Sequence, residues 1–491
     1  MNGVKTLRKP MDFHSSVRWT ASAQYFSEAV NFVTSMAVAR VLQPDDYGLM
    51  GMAVVFVGLL GLWQSLGFSV AIVQRKDYSE AFLHSVFFLN LAMGLMIAGL
   101  MGFGSPLIAA MFGDERIGPL VAVLGIAFVF TTPGLVPSSI LRRDMEFDRL
   151  AMTGMASTMT TAIVAVVMAY TGFGVWSLVA SSIAGQLVHT VMLYAVSDWR
   201  PRMVFRWSEV RPVIGFGLNF TGNLTIQHFA KESDKFIIGR FLGTSLLGYY
   251  SLAYRILSFP RKAIFQIVGT VLVTKLSRLQ NNDAELKDVY LRISGAIAFA
   301  TFPLMLGIMC IATPFVTVVL GAKWLPSVPL ILILAPIGML QSVEVTTNQL
   351  FVAKGRADWM FRWSLVHAAL TVASFLAGLP WGLHGMAISY SVVSVILFFG
   401  VYSIVFRLVD GLSIGDLMKT LLPHFASATA MAVIVTTFRM TLEWNGASPL
   451  LVLVATVPVG ILSYWGIILC FRPLCLDDYL RLLPRFNQRS Q

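Results

Sequence analysis

Charged side chains are scarce in this sequence. Asp, Glu, Lys and Arg make up 12% of its 491 residues, about half the share of an average soluble domain, while 56% are hydrophobic. So little charge cannot keep the surface of a globular protein of this size wetted, which excludes a water-soluble fold. Cysteine and histidine are scarce too, at three and seven residues. Cys310 falls in an apolar stretch, Cys470 and Cys475 sit at the edge of the last one, and no Cys-x-x-Cys or Cys/His spacing occurs. A disulfide framework and a zinc site are therefore excluded, and no metal or cofactor is expected. Long polar loops are missing as well, so no separate soluble domain is expected.

What is present is a succession of apolar stretches. A helical span needs about 20 mostly apolar residues to cross roughly 30 Å of hydrocarbon. That ruler gives spans near 18–42, 47–72, 80–103, 117–141, 151–171, 174–197, 212–242, 246–273, 292–320, 326–353, 361–380, 384–407, 420–440 and 448–471. The basic N-terminus loosely mimics a signal peptide, but Gln24, Glu28 and Asn31 interrupt the stretch behind it, so it reads as a retained first helix. The net charge of +11 raises the question of nucleic acid, and its distribution answers it. Positive residues gather on alternate short loops, such as Arg142, Arg143 and Arg149, or Lys354, Arg356 and Arg362. The opposite side carries Arg40, Arg116, Arg240, Lys323 and Arg439. This is membrane topology, with both termini cytoplasmic in a bacterial inner membrane and no nucleic-acid partner. Ser277 to Arg292 reads as an amphipathic surface helix with Leu279, Leu286 and Tyr290 on one side, and the tail Leu476–Phe486 as another.

One internal repeat stands out. Ala39-Arg-Val-Leu-Gln-Pro-Asp-Asp-Tyr-Gly48 and Gly239-Arg-Phe-Leu-Gly-Thr-Ser-Leu-Leu-Gly248 align at a spacing of 200, matching Arg40 with Arg240, Leu42 with Leu242 and Gly48 with Gly248. Six spans separate equivalent points, so the two copies point the same way through the membrane. The expected fold is an all-α membrane protein of about 14 transmembrane helices, with two parallel six-helix lobes plus two C-terminal helices. The lobes are placed at 1–200 and 201–410, and the last pair with the tail at 411–491. Two such lobes enclose a central cavity, which points to a transporter.

Polar residues inside spans are costly and turn toward a cavity or toward each other. They concentrate in span 7, where Asn219, Asn223, Gln227, Lys231 and Asp234 share a face, with His228, Glu232 and Lys235 beside them. Span 1 carries Gln24, Ser27, Glu28 and Asn31, span 8 Arg255, Arg261 and Lys262, and span 10 Gln341, Glu344 and Asn348. Cations in a low dielectric suit the phosphate oxygens of an anionic headgroup. The competing reading pairs Lys231 with Asp234 and Glu232 with Lys235, each three apart on a helix, as structural neutralisation. Arg261 and Lys262 could equally snorkel to lipid headgroups. Glu28, His228, Glu232, Asp234 and Glu344 are candidates for ion coupling, because burial or a nearby cation shifts such groups.

The stretches "AR-VLQPDDYGLMGMAVVF" (39–56), "LGFSVAIVQRKD" (66–77), "GFGVWSLV" (172–179) and "DKFIIGRFLGTSLLGYYSLAYRILSFP" (234–260) resemble polysaccharide flippases of the Wzx/WzxC type. These belong to the multidrug/oligosaccharidyl-lipid/polysaccharide exporter superfamily. The resemblance implies export of an undecaprenyl-pyrophosphate-linked oligosaccharide from the inner to the outer leaflet, for exopolysaccharide, capsule or lipopolysaccharide biosynthesis. The mechanism it implies is alternating access driven by an ion gradient. It further implies that Lys231, Lys235 and Arg255 meet the pyrophosphate, and that amides such as Asn31, Asn219, Asn223 and Gln227 bond sugar hydroxyls. Partners would be membrane lipid and the polymerase and glycosyltransferases of the same pathway. The alternatives are an ion-coupled multidrug exporter or a lipid II flippase of the same superfamily. An enzyme, such as a membrane polymerase or glycosyltransferase, is disfavoured because the outer loops are short and Asp45-Asp46 is held in a tight turn.

Overall fold

The computed structural model describes residues 13–74, 79–280 and 282–471. Its helices are α1 (Phe13–Val41), α2 (Pro44–Ser65), α3 (Phe68–Gln74), α4 (Glu80–Phe112), α5 (Ile117–Thr131), α6 (Leu135–Arg143), α7 (Phe147–Tyr170) and α8 (Trp176–Val196). They continue as α9 (Trp207–Leu242), α10 (Thr244–Arg278), α11 (Asp283–Phe315), α12 (Val328–Ala353), α13 (Ala357–Gly378), α14 (Gly382–Leu408), α15 (Ile414–Trp444) and α16 (Pro449–Phe471). Among the described residues, ten helical stretches are long and apolar enough to cross a membrane, one of them, Asp358–Leu408, holding α13 with α14. The three remaining long helices, α1, α9 and α10, run 29, 36 and 35 residues. Their length suffices to span. Counting α13 and α14 apart and adding these three gives the fourteen spans that the sequence predicts.

The chain divides into two compact units, Met1–Ser251 and Leu252–Gln491. In the first, α4 packs on α5, α7 on α8, α1 on α7, and α9 on α2 and α4. In the second, α11 is central and touches α12, α15 and α16, while α14 packs on α12 and α13. The predicted surface helix over 277–292 is not a separate element. Asn282 caps a new helix by accepting from the Glu285 amide, and its first turns bury Leu286 and Tyr290 in the long α11. A cap at 282 lets the chain enter the membrane directly, so the amphipathic pattern marks packing on protein rather than on lipid. The tail Leu476–Phe486 lies outside the described residues.

Several spans contain proline, which has no N–H for the carbonyl four residues earlier. In hydrocarbon an orphaned carbonyl is expensive, so a neighbour must supply a donor. The structure does this repeatedly. Pro137 frees the carbonyl of Pro133, and Tyr194 Oη donates to it at 3.0 Å. Pro303 frees Phe299, which accepts from Tyr464 Oη at 2.7 Å. Pro314 frees Cys310, which accepts from an Arg439 guanidinium nitrogen at 2.8 Å. Span 2 breaks for a different reason. Leu66 (φ 40°) and Gly67 (φ 68°) adopt left-handed backbone and split the span into α2 and α3. The Leu66 carbonyl abuts Gly217 of α9 so closely that an added Cβ would lie 2.0 Å from its oxygen.

Candidate functional site

The polar span 7 becomes α9, and its polar residues divide into three groups. Gln227 and Lys231 are exposed. Glu232 is buried and forms an ion pair with Lys235, as their spacing of three predicts. Asp234 is buried and turns to Tyr250 of α10, whose phenol donates to its carboxylate at 2.8 Å. The predicted face is therefore polar throughout in sequence but only partly open. Toward its C-terminal end α9 is covered, with Gly239 against Met52 and Phe112. The side chains of Asn219 and Asn223 lie outside the described residues.

His228 anchors α9 to α2. Its Nε2 lies 2.9 Å from the Val55 carbonyl oxygen, and its ring occupies the space a side chain at Gly58 would need. On α1, Gln24 and Asn31 are exposed and Glu28 is half-buried between them. Ser27 faces α7, where Thr158 donates to its hydroxyl at 3.2 Å.

In the second unit Arg255 is exposed and Lys262 likewise. Arg261 is half-buried and held in place. Its guanidinium donates to Gln341 Oε1 of α12 and, at 3.4 Å, to the Tyr254 hydroxyl. Gln341 in turn donates to Tyr390 Oη at 2.6 Å, and Tyr390 stacks on Phe375 with ring centroids 5.0 Å apart. Gln341, Glu344 and Asn348 follow one stripe of α12, with Glu344 half-buried and Asn348 exposed. Sequence reasoning singled out the charged members of these groups and missed the tyrosines. Tyr250, Tyr254 and Tyr390 carry no spacing signal, because each meets its partner across helices or over two or more turns.

The repeated turns meet each other. Asp45 accepts hydrogen bonds from Thr244 Oγ1 at 3.0 Å and from Ser245 Oγ. A Cβ at Gly48 would lie 1.9 Å from the Thr244 carbonyl oxygen, and one at Gly248 would lie 1.9 Å from that of Pro44. Positions 45 and 245 touch, and the contact of 48 with 244 is mirrored by 248 with 44. Such reciprocity is what a local two-fold axis produces, and it gives the 200-residue repeat a physical form. Arg116 adds a bridge, donating to Asp114 at 2.7 Å and to Thr244 at 3.4 Å. Asp46 accepts from the Val175 amide at 3.1 Å in the Gly172–Trp176 turn. Both carboxylates of the Asp45–Asp46 pair thus hold backbone and hydroxyl groups of neighbouring turns. No group of three or more metal-ligating side chains occurs among the described residues.

A family model described as "Polysaccharide biosynthesis protein" matches residues 37–329. The succinoglycan biosynthesis transport protein ExoT of Rhizobium meliloti (strain 1021) is 29% identical over 464 residues, covering 92% of each chain. The lipopolysaccharide biosynthesis protein WzxC of Escherichia coli (strain K12) is 25% identical over 427 residues, covering 85% of this chain and 86% of the relative. Among solved structures, the lipid II flippase MurJ in an inward closed conformation superposes with a TM-score of 0.74 at 17% identity. That match covers 93% of this chain and 99% of MurJ, and it establishes the fold.

Proposed function

This chain belongs to the polysaccharide biosynthesis protein family, and we propose that it is the flippase that carries a lipid-linked oligosaccharide across the inner membrane for polysaccharide assembly. The observation that carries the proposal is the exposed Gln227–Lys231 face of a membrane-spanning helix. A side chain so polar is tolerated at that depth where it meets water or an anionic, hydroxyl-rich cargo. An undecaprenyl pyrophosphate would supply the anion for exposed cations such as Lys231, with Arg255 a second candidate. Sugar hydroxyls would meet amides such as Asn31 and Gln227. Lys235 is already committed to Glu232, which moves the weight of the cation role to Lys231. Both termini are cytoplasmic on this reading, and the paired turns around Asp45 and Ser245 face the outer side. Their carboxylates serve as hydrogen-bond acceptors in tight turns, which argues against the membrane-enzyme alternative.

Reconstitution into vesicles tests the proposal. A fluorescent undecaprenyl-pyrophosphate oligosaccharide, placed in one leaflet, is expected to become accessible to an impermeant glycosidase on the other side, and much more slowly with Lys231→Ala. Absence of movement, together with drug resistance conferred on a pump-deficient host, would overturn it in favour of a multidrug exporter. Equal movement of lipid II alone would assign the cargo to cell-wall precursor.

A further inference from the structure

The stretch 197–206, which joins α8 to α9, forms a strap tied along its length to the first turns of α4. Trp199 stacks on His84 with ring centroids 5.5 Å apart. The Arg202 amide donates to His84 Nδ1 at 3.2 Å, and the Arg206 amide donates to Ser85 Oγ at 2.8 Å. The Arg202 guanidinium also lies 3.4 Å from the Glu80 carboxylate. α4 begins the spanning stretch Glu80–Phe112, and α8 is the spanning stretch Trp176–Val196. A strap fixed to the first turns of one span and following the last turn of another lies at headgroup depth.

What the strap presents is basic and apolar at once. Arg200, Arg202, Arg206 and, in the first turns of α9, Arg211 are exposed, against the acids Asp198 and Glu209. Between them Met203, Phe205 and Trp207 are 92%, 51% and 53% exposed. The amides bonded to α4 hold the backbone, and a tight turn at Met203, where the Val204 amide donates to the Arg202 carbonyl at 2.7 Å, keeps that side chain outward. Water disfavours the three apolar side chains, and hydrocarbon disfavours the guanidinium groups. The boundary between them suits both, because apolar bodies reach the acyl chains while guanidinium groups meet phosphate oxygens. Elsewhere on the basic side the cations have acids, as Lys287 has Asp416 at 2.7 Å, Arg149 has Glu146 at 2.8 Å and Lys354 has Asp283. The side chains of Arg206 and Arg211 have no such partner among the described residues.

We propose that this strap is a docking surface for anionic phospholipid. Arg206 and Arg211 take the headgroup phosphate, while Met203, Phe205 and Trp207 sit against the upper acyl chain. The leaflet is the cytoplasmic one on the topology proposed above, and only that detail rests on the proposed function.

Native mass spectrometry of the full-length protein in detergent, titrated with phosphatidylglycerol or phosphatidylcholine, tests this. The wild type is expected to retain phosphatidylglycerol and to release phosphatidylcholine. Arg206→Gln with Arg211→Gln should weaken phosphatidylglycerol binding on the order of tenfold, with the melting temperature unmoved. Arg356→Gln with Arg362→Gln removes equal charge from the turn before α13 and should leave binding unchanged. Equal weakening in the two double variants, or none in Arg206→Gln with Arg211→Gln, overturns the proposal. So does undecaprenyl pyrophosphate that displaces phosphatidylglycerol when equimolar and depends on the same two arginines, since the strap would then hold cargo. Binding in detergent requires neither transport nor a leaflet, so a negative result here leaves the transport function standing, and failed transport leaves the lipid surface standing.

Discussion

The long helices α9 and α11, one in each unit, both bring polar groups into the membrane and deal with them in opposite ways. In α9 the polarity is in side chains: Gln227 and Lys231 are exposed, Glu232 pairs with Lys235, and Asp234 accepts from Tyr250. In α11 the polarity is in the backbone, where Pro303 and Pro314 free two carbonyls that Tyr464 of α16 and Arg439 of α15 then satisfy. Internal satisfaction marks α11 as scaffold, held by the C-terminal pair. On the proposed function, the exposed polar side chains of α9 are the ones that would meet water or cargo. The prolines of α11 and the exposed polar side chains of α9 are therefore two separate signals, the first about support and the second, on the proposed function, about transport.

Breaking the paired part of α9 is expected to have the largest effect. Lys235→Ala strands the buried Glu232 carboxylate and should cost about 3 kcal/mol of stability. Adding Glu232→Gln should recover most of it, as read from thermal unfolding in detergent. On α11, Tyr464→Phe leaves the Phe299 carbonyl without its donor and should cost about 1–3 kcal/mol, with transport by the folded fraction unchanged. A transport defect without a stability defect would remove the distinction between scaffold and path. The open part of α9 is expected to respond in reverse. Lys231→Ala should slow oligosaccharide movement roughly tenfold, equivalent to about 1.4 kcal/mol, with the melting temperature unmoved.

The smallest effect is expected at the turn that follows α9, where Arg116 joins Asp114 to Thr244. The hydrogen bond from Arg116 holds the Asp114 carboxyl below its usual value of 3.8. Its contribution is therefore full above about pH 4 and is lost as the pH falls through the lower, folded-state value. Unfolding measured between pH 6 and pH 3 should fall off slightly less steeply in Asp114→Asn than in the wild type.

Much of this was legible from residue order. Spans showed as apolar runs, the Glu232–Lys235 pair as a spacing of three, and the repeat as matched residues 200 apart. Local rules cannot say which of two equally spaced pairs forms. Lys231 and Asp234 have the same spacing as Glu232 and Lys235, yet Asp234 turns to Tyr250 because a neighbouring helix brings a phenol to it. The expectation of a surface helix over 277–292 failed for a related reason, since an amphipathic pattern does not say whether its apolar side meets lipid or protein.

The sequence by itself determined that this is an all-helical multi-pass membrane protein of the polysaccharide biosynthesis protein family. Those properties follow from hydropathy, charge sidedness and motif order, which the chain carries along its length. Only the tertiary structure decided which polar groups are satisfied. Tyr464 finds the carbonyl that Pro303 frees, and Asp45 meets its own repeat partner Ser245. Pairing across helices depends on which surfaces pack, and in a membrane the cost of an unmet polar group makes that packing decide what each residue can do.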